Sequence, residues 1–249
     1  RNDNDSYEDE ITLKAHCITT RKDLLCFNLE LHKGEVLGIG GLSECGMHTV
    51  GKALFGYEKI LDGKVTVGAK QTVVKNPETA IANGIAYTSK DRDHESLGLA
   101  GSIRDNIAST GYYFNRIFGP IISFGKEKKF VQNQIDTLEL KCASQYHSVN
   151  TLSGGNKQKV VFGKWIGSEA DVLILDCPTR GIDIGVKASM YQLIYKMKKQ
   201  GKSIILISEE LPELIGMSDR ILIMKDGKIV HEAMRSENPT EHDLINYMI

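Results

Sequence analysis

Three largely apolar runs constrain this chain more than any other feature in it. Val172–Leu175, Ser203–Ser208 and Arg220–Met224 each run on without the polar alternation of a half-solvated strand. A strand covered on both faces has no water-facing side to keep polar, and such covering is the condition of a mostly parallel sheet. Helical patterns lie between the runs, including Gly185–Gln200. Strand–helix alternation of this kind predicts an α/β fold on a mostly parallel sheet. Two further core strands are expected, Glu35–Ile39 behind Gly34 and Gly84–Thr88. A different texture marks Ile11–Leu31, where short apolar runs suggest paired edge strands. Lys64–Val67 with Gln71–Val74 suggests a hairpin, and Asp226-Gly227 is a two-residue hairpin turn.

The ten residues Arg1–Glu10 are polar and acidic and read as a linker. They begin with Arg1 rather than methionine, so the chain reads as a piece of something longer. Residues 11–249 are expected to form one domain. Its core spans 11–101 and 150–249, and an inserted helical subdomain runs from Ser102 to about Val149. Within that insert, Phe114–Phe124 is a contact or core segment, with core preferred. The 249 residues carry a net charge of −1, which gives no global attraction to nucleic acid or to an anionic membrane. No apolar run approaches the roughly 18 residues a spanning helix needs. The five cysteines are scattered without a C-x-x-C pair, so neither a zinc site nor a disulfide framework is expected, and a reducing compartment is the simplest setting.

Three motifs carry chemistry. Gly41-Leu42-Ser43-Glu44-Cys45-Gly46-Met47-His48-Thr49 lies between a strand and a helix, where a phosphate loop belongs. The full pattern is G-x-x-x-x-G-K-[ST], with backbone N–H groups around phosphate, a lysine for charge and a hydroxyl for Mg²⁺. Gly41 and Gly46 are correctly spaced, but Met47 takes the lysine position and His48 the hydroxyl position. Glu44 adds negative charge, and Thr49 stands one place late. Next, Leu152-Ser153-Gly154-Gly155-Asn156-Lys157-Gln158 offers a hydroxyl and free N–H groups at a helix start. Third, the Val172–Leu175 strand ends in Asp176, the arrangement that holds a Mg²⁺-bound water beside a phosphate loop. Cys177 follows it, where a glutamate base is usual. It reads as a small apolar replacement, because no histidine-based activating arrangement is evident around it.

Taken in order, phosphate-type loop, helical insert, LSGG and strand-Asp resemble the ABC ATPases from Ile11 onward. The fold implied is the ABC cassette: a P-loop-type, mostly parallel core sheet, an N-terminal antiparallel part and an inserted helical subdomain. Pro178–Lys187, Asp91-Arg92 with Gly98-Leu99, and Glu210–Glu213 with Gly216–Arg220 resemble the second cassette of tandem ATPases that energise ribose-, galactose- and xylose-type importers. In that family two cassettes share one chain, and the acidic start here fits the linker between them.

The resemblance implies ATP and Mg²⁺ as cofactors, bound weakly or not at all in the chain's own site, with Asp176 as a weak Mg²⁺ ligand. It implies Leu152, Ser153, Gly154, Gly155, Asn156 and Gln158 as a signature offered to a partner cassette, with Arg180 and Asp183 at the interface. The implied setting is cytoplasmic, on the inner face of the membrane. The implied partners are another cassette, permease subunits docked on the helical subdomain and, indirectly, a sugar-binding protein, without nucleic acid. Further departures are Lys90 near a usual glutamine, Glu209 at the usual histidine, and no adenine-stacking aromatic between Cys17 and Cys26. With Met47, His48 and Cys177 they leave no intact catalytic residue in the chain's own site. The alternatives are a non-catalytic nucleotide-binding or regulatory module, and an importer of a nucleoside or autoinducer-type ligand. A soluble ABC protein of ribosomes or DNA is disfavoured by the neutral charge and the lack of a long coiled-coil insert.

Overall fold

The computed structural model describes residues 7–114, 123–168 and 170–249. In chain order the elements are β1 (Ile11–Thr19), β2 (Phe27–His32), β3 (Val36–Gly41), α1 (Met47–Leu54), β4 (Asp62–Val67), β5 (Thr72–Val73), α2 (Pro77–Ala82) and β6 (Ile85–Thr88). Then come α3 (Ile103–Phe114), α4 (Phe124–Thr137), α5 (Gly154–Ile166), β7 (Val172–Asp176), α6 (Ile184–Lys199), β8 (Ser203–Ile207), α7 (Leu211–Met217), β9 (Arg220–Lys225), β10 (Lys228–Met234) and α8 (Glu241–Met248). They divide into two compact units. One holds the described residues up to Tyr87 with Asp171–Cys177 and Met190–Ile249; the other holds those of Thr88–Ala170 with Pro178–Ser189.

The first unit contains both sheets. A six-stranded sheet has the order β10-β9-β3-β8-β7-β6. Its β3, β7, β8 and β9 pair in parallel, with Ile39 opposite Ile207 and Leu222, and Leu175 opposite Leu206. The apolar runs that predicted parallel strands are therefore its centre, and β3, β7 and β8 are buried at every position. Each apolar side chain taken wholly out of water there contributes roughly 1.5–3 kcal/mol. The expected hairpin at Asp226-Gly227 joins β9 to β10 antiparallel, and both turn residues have positive φ, 48° and 74°. The other sheet has the order β2-β1-β4-β5 and is antiparallel throughout, as the short runs of the N-terminal third suggested.

Two buried ion pairs hold strand ends together in this unit. Arg220 Nε donates to Glu35 Oε1 at 2.7 Å and its Nη2 donates to the Glu30 carbonyl at 2.6 Å, while Glu35 Oε2 accepts from the His32 N–H. Lys198 Nζ lies 2.9 Å from Asp219 Oδ2, which also accepts from the Val36 N–H. Both carboxylates are satisfied by more than one donor, which offsets the cost of burying charge.

One expectation is corrected here. Cys17 and Cys26 form a disulfide, nine residues apart in sequence. Antiparallel pairing of β1 with β2, shifted by an irregularity between Ala15 and Ile18, brings the two residues side by side. Nothing in the cysteine spacing signals such a contact, because it arises from strand register.

The second unit is helical, built on α3, α4, α5 and the start of α6. Ile103, Ile107, Val131, Val160, Val161 and Phe162 are among its fully or almost fully buried side chains. Gly163 of α5 lets Leu138 and Ile107 pack against the helix, since a Cβ there would lie 3.1 Å from Leu138 Cδ1. Most of the 114–124 tract lies outside the described residues. Its end, Phe124, is 73% exposed, so at that residue the preference for core is wrong. No helix among the described residues is long and apolar enough to cross a membrane.

Candidate functional site

In the first unit, β3 ends at Gly41 and α1 starts at Met47, with the phosphate-type loop between them. Gly41 has to be glycine: a Cβ there would sit 2.4 Å from Cys45 Sγ and 2.6 Å from the Met224 carbonyl. Gly46 precedes the helix at φ 93°, a left-handed conformation, and makes no side-chain cap. Leu42, Ser43 and Glu44 are exposed, whereas Cys45 is buried and its thiol is pushed up by desolvation. Met47 is completely buried. Its side chain is a core residue of α1, in the position where the full motif carries a lysine. Thr49 donates its hydroxyl to Asp23.

His48 turns toward the end of β7. Its Nδ1 lies 2.7 Å from Asp176 Oδ1 and its Nε2 lies 3.4 Å from Glu209 Oε1. Ser43 donates to the same Glu209 oxygen at 2.9 Å, and the Tyr87 hydroxyl donates to Asp176 Oδ2 at 3.4 Å. Asp176 is 1% exposed. Cys177 follows it with positive φ and is also buried. His48, Asp176 and Cys177 each present a donor atom, all within 4.8 Å of one another, and could hold a metal ion. The absence of a C-x-x-C pair gave no sign of this group, and His48 stands near Cys177 although no histidine-based arrangement around that thiol is evident in the sequence. His48 and Asp176 stand 128 positions apart in sequence, and the parallel sheet brings them together. The motif positions place Asp176 beside the loop that carries His48; the approach of the Cys177 thiol to both leaves no trace in the sequence.

In the second unit, Ser153 caps α5. Its Oγ accepts from the Asn156 N–H at 3.4 Å and from Asn156 Nδ2 at 3.1 Å. Asn156 Oδ1 also accepts from the Lys141 N–H, so that residue anchors the cap to the chain leaving α4. Gly155 is buried against Val186, where a Cβ would meet Cγ2 at 3.0 Å. At Gly154 a Cβ would meet Arg92 Nη2 at 3.0 Å, and Arg92 Nη1 donates to the Arg180 carbonyl at 2.9 Å. Lys157 Nζ lies 3.0 Å from Asp93 Oδ2. Leu152 is half-buried and Gln158 is buried. Ser153, Arg180 and Asp183 are exposed, and Ile184 is 86% exposed. Asp183 Oδ1 caps α6 by accepting from the Val186 N–H. The structure thus brings Ser153, Gly154, Gly155 and the 180–186 turn onto one framework within the second unit.

A phosphate-type loop on β3, an Asp at the end of β7 and a serine-capped glycine pair define an ATP-binding cassette, and the chain belongs to the ABC transporter family, whose sequence model matches residues 24–180. The fold agrees. The ATP-binding cassette MJ0796, in a dimeric post-hydrolysis structure bound to ADP and Pi, superimposes with TM-score 0.79 at 19% identity, covering 90% of this chain and 98% of that one. The cassette MJ1267 in its ADP conformation gives TM-score 0.75 at 20% identity, covering 95% and 98%. Among curated proteins, the ribose import ATP-binding protein RbsA of Halalkalibacterium halodurans is 38% identical over 96% of this chain and 47% of its own length. The galactose/methyl galactoside import ATP-binding protein MglA of Clostridium tetani is 37% identical over 96% of this chain and 47% of its own length. The chain therefore spans about half the length of the curated relatives it matches.

Proposed function

We propose that this chain is the second, C-terminal cassette of a tandem sugar-import ATPase, and that it lends its signature to an ATP site whose phosphate loop lies on a partner cassette. The observation that carries the reading is a contrast within one chain. Met47 is wholly buried where a phosphate loop needs a cation, while Ser153 stands exposed at the capped start of α5. Relatives over nearly the full chain are import ATP-binding proteins for ribose and for galactose or methyl galactoside, which supports a monosaccharide as the cargo class. The partners of this reading are the other cassette, permease subunits and, through them, a sugar-binding protein; its setting is the cytoplasmic face of the membrane.

The chain's own corner does not fit magnesium triphosphate. A buried thioether supplies no positive charge, and the imidazole at the hydroxyl position lies between Asp176 and Glu209. Cys177 holds the place of the usual base. Each lost electrostatic donor in a hydrolytic site costs about 2.7–4 kcal/mol, so this corner is assigned no catalytic step. Arg180, Asp183 and the exposed Ile184 flank the signature and form the cassette–cassette interface in this reading.

The test uses the full-length double-cassette protein with its permease. Ser153→Arg is expected to lower ATP turnover about 100-fold or more, while the volume-conserving Met47→Leu changes it by less than about threefold, well under the loss of one such donor. Unchanged turnover in Ser153→Arg would overturn the proposal.

A further inference from the structure

We propose that His48, Asp176 and Cys177 form a binding site for a borderline-soft divalent cation of the Zn²⁺ class. The inference rests on the reading that this corner has left the magnesium pattern, since two of its three ligands are the departing residues.

The donor set decides the metal. Magnesium takes oxygen ligands in octahedral geometry, and the usual hydroxyl and carboxylate suit it. Here the donors are an imidazole nitrogen, a thiol sulfur and a carboxylate oxygen, a set that favours Zn²⁺ and its neighbours over Mg²⁺ and Ca²⁺. The three atoms already lie within 4.8 Å of one another. A tetrahedral ion with bonds of about 2.0–2.3 Å needs them about 3.5 Å apart. Side-chain rotations of about 1 Å reach that spacing, opening the 2.7 Å contact between His48 Nδ1 and Asp176 Oδ1 and drawing the thiol in from within 4.8 Å.

The surroundings are those a metal-bound histidine needs. His48 Nδ1 faces Asp176, which makes it the ligating nitrogen, and Nε2 faces Glu209 at 3.4 Å. A carboxylate on the far ring nitrogen fixes the ring and strengthens the ligand. Ser43 steadies Glu209, and Tyr87 steadies the second oxygen of Asp176. The His48 side chain is 18% exposed and that of Glu209 33%, so the site has an entry path and a fourth position for solvent. On binding, the Cys177 S–H gives up its proton and a metal–sulfur bond forms. Thiolate and carboxylate together balance the charge of the ion.

The test is made on this chain with a reductant and excess Mg²⁺ but no nucleotide. Zn²⁺ is titrated against a chromophoric chelator, and Co²⁺ serves as the optical probe. The expected result is one equivalent bound with a thiolate-to-cobalt charge-transfer band. Cys177→Ser should abolish the band, and His48→Ala should weaken Zn²⁺ binding at least about tenfold. Cys142→Ser, in the other unit, should change neither. Melting curves of the metal-free variants check folding, and if Cys177→Ser melts early the His48→Ala affinity decides. Absence of Zn²⁺ binding, a band that survives Cys177→Ser, or a His48→Ala variant that binds as tightly as the parent would overturn the proposal. Any of these results leaves the signature reading standing, because that reading fails only on turnover of the Ser153→Arg variant.

Discussion

The Gly41–Thr49 loop of the first unit and the Ser153 segment of the second follow one local plan, a glycine-bearing turn that feeds a helix N-terminus. They finish it differently. α5 begins with a serine whose oxygen accepts from the third residue of the helix and whose side chain stays exposed. α1 begins after a left-handed Gly46 with no side-chain cap, and its first residue is a buried methionine. A helix N-terminus supplies partial positive charge and free N–H groups in both cases. What differs is the side chain beside it: a hydroxyl that can serve an anion, or a thioether that serves the core. One backbone plan thus carries two different side-chain chemistries, and side-chain burial reports the difference.

The largest effect available to break the contrast comes from placing the full motif's side chains at these positions. Met47→Lys, His48→Ser and Cys177→Glu together should raise Mg-ATP affinity of this chain about 100-fold, equivalent to about 2.7 kcal/mol. Calorimetric titration of parent and triple variant measures it. Equal affinities would mean that something other than these side chains limits the site, and the contrast would fail. A lysine at position 47 has to leave a fully buried position, so the same experiment reads a loss of melting temperature if the loop cannot let it out.

A smaller effect separates the two helix starts by stability alone. Ser153→Ala removes the cap of α5 and should cost about 1 kcal/mol, while Ser153→Asn should cost less. Gly46→Ala places a Cβ in the left-handed region and 3.2 Å from Asp23 Cβ. It should cost about 1–2 kcal/mol by backbone strain. Denaturant unfolding of the three variants orders them. A Gly46→Ala variant as stable as its parent would mean that the loop relaxes out of the left-handed conformation.

Much of this architecture is legible in the amino-acid sequence. The apolar runs at Val172, Ser203 and Arg220 became β7, β8 and β9 because continuous burial on two faces leaves a plain trace in sequence. Asp226-Gly227 became the hairpin it promised, since few residues tolerate two successive positive φ values. Local motifs such as Ser153-Gly154-Gly155 were legible for the same reason: the geometry is held by neighbours in the chain. The closing of the Cys177 thiol on His48 and Asp176 and the Cys17–Cys26 bond were not. Both depend on which strand lies beside which and in what register, and neither leaves a periodic or spaced signature. Thr49 lies between these cases. Its being one place late was visible, but its commitment to Asp23 was not.

The smallest expected effect concerns the helical unit that carries Ser153. Tyr112 lies near Glu127 and Arg104, and the Arg104 guanidinium in turn faces the exposed Phe124 and Tyr146 rings at 5.5 and 5.6 Å. Desolvation first, and then hydrogen bonding and charge from Glu127, push the Tyr112 phenol up from its ordinary value to about 12. Because the folded pKa is raised, the contribution to stability is full below the unfolded value near 10 and is lost as pH rises toward 12. The chain has nine tyrosines, so the phenolate difference spectrum of Tyr112→Phe against the parent isolates this one. Glu127→Gln should bring the titration only partway back, since burial is the larger cause and stays. A Tyr112 that titrates near 10 in the folded parent would mean that neither desolvation nor Glu127 acts on this phenol, and that the second unit holds its partly exposed edge more loosely than the buried loop start of the first unit is held.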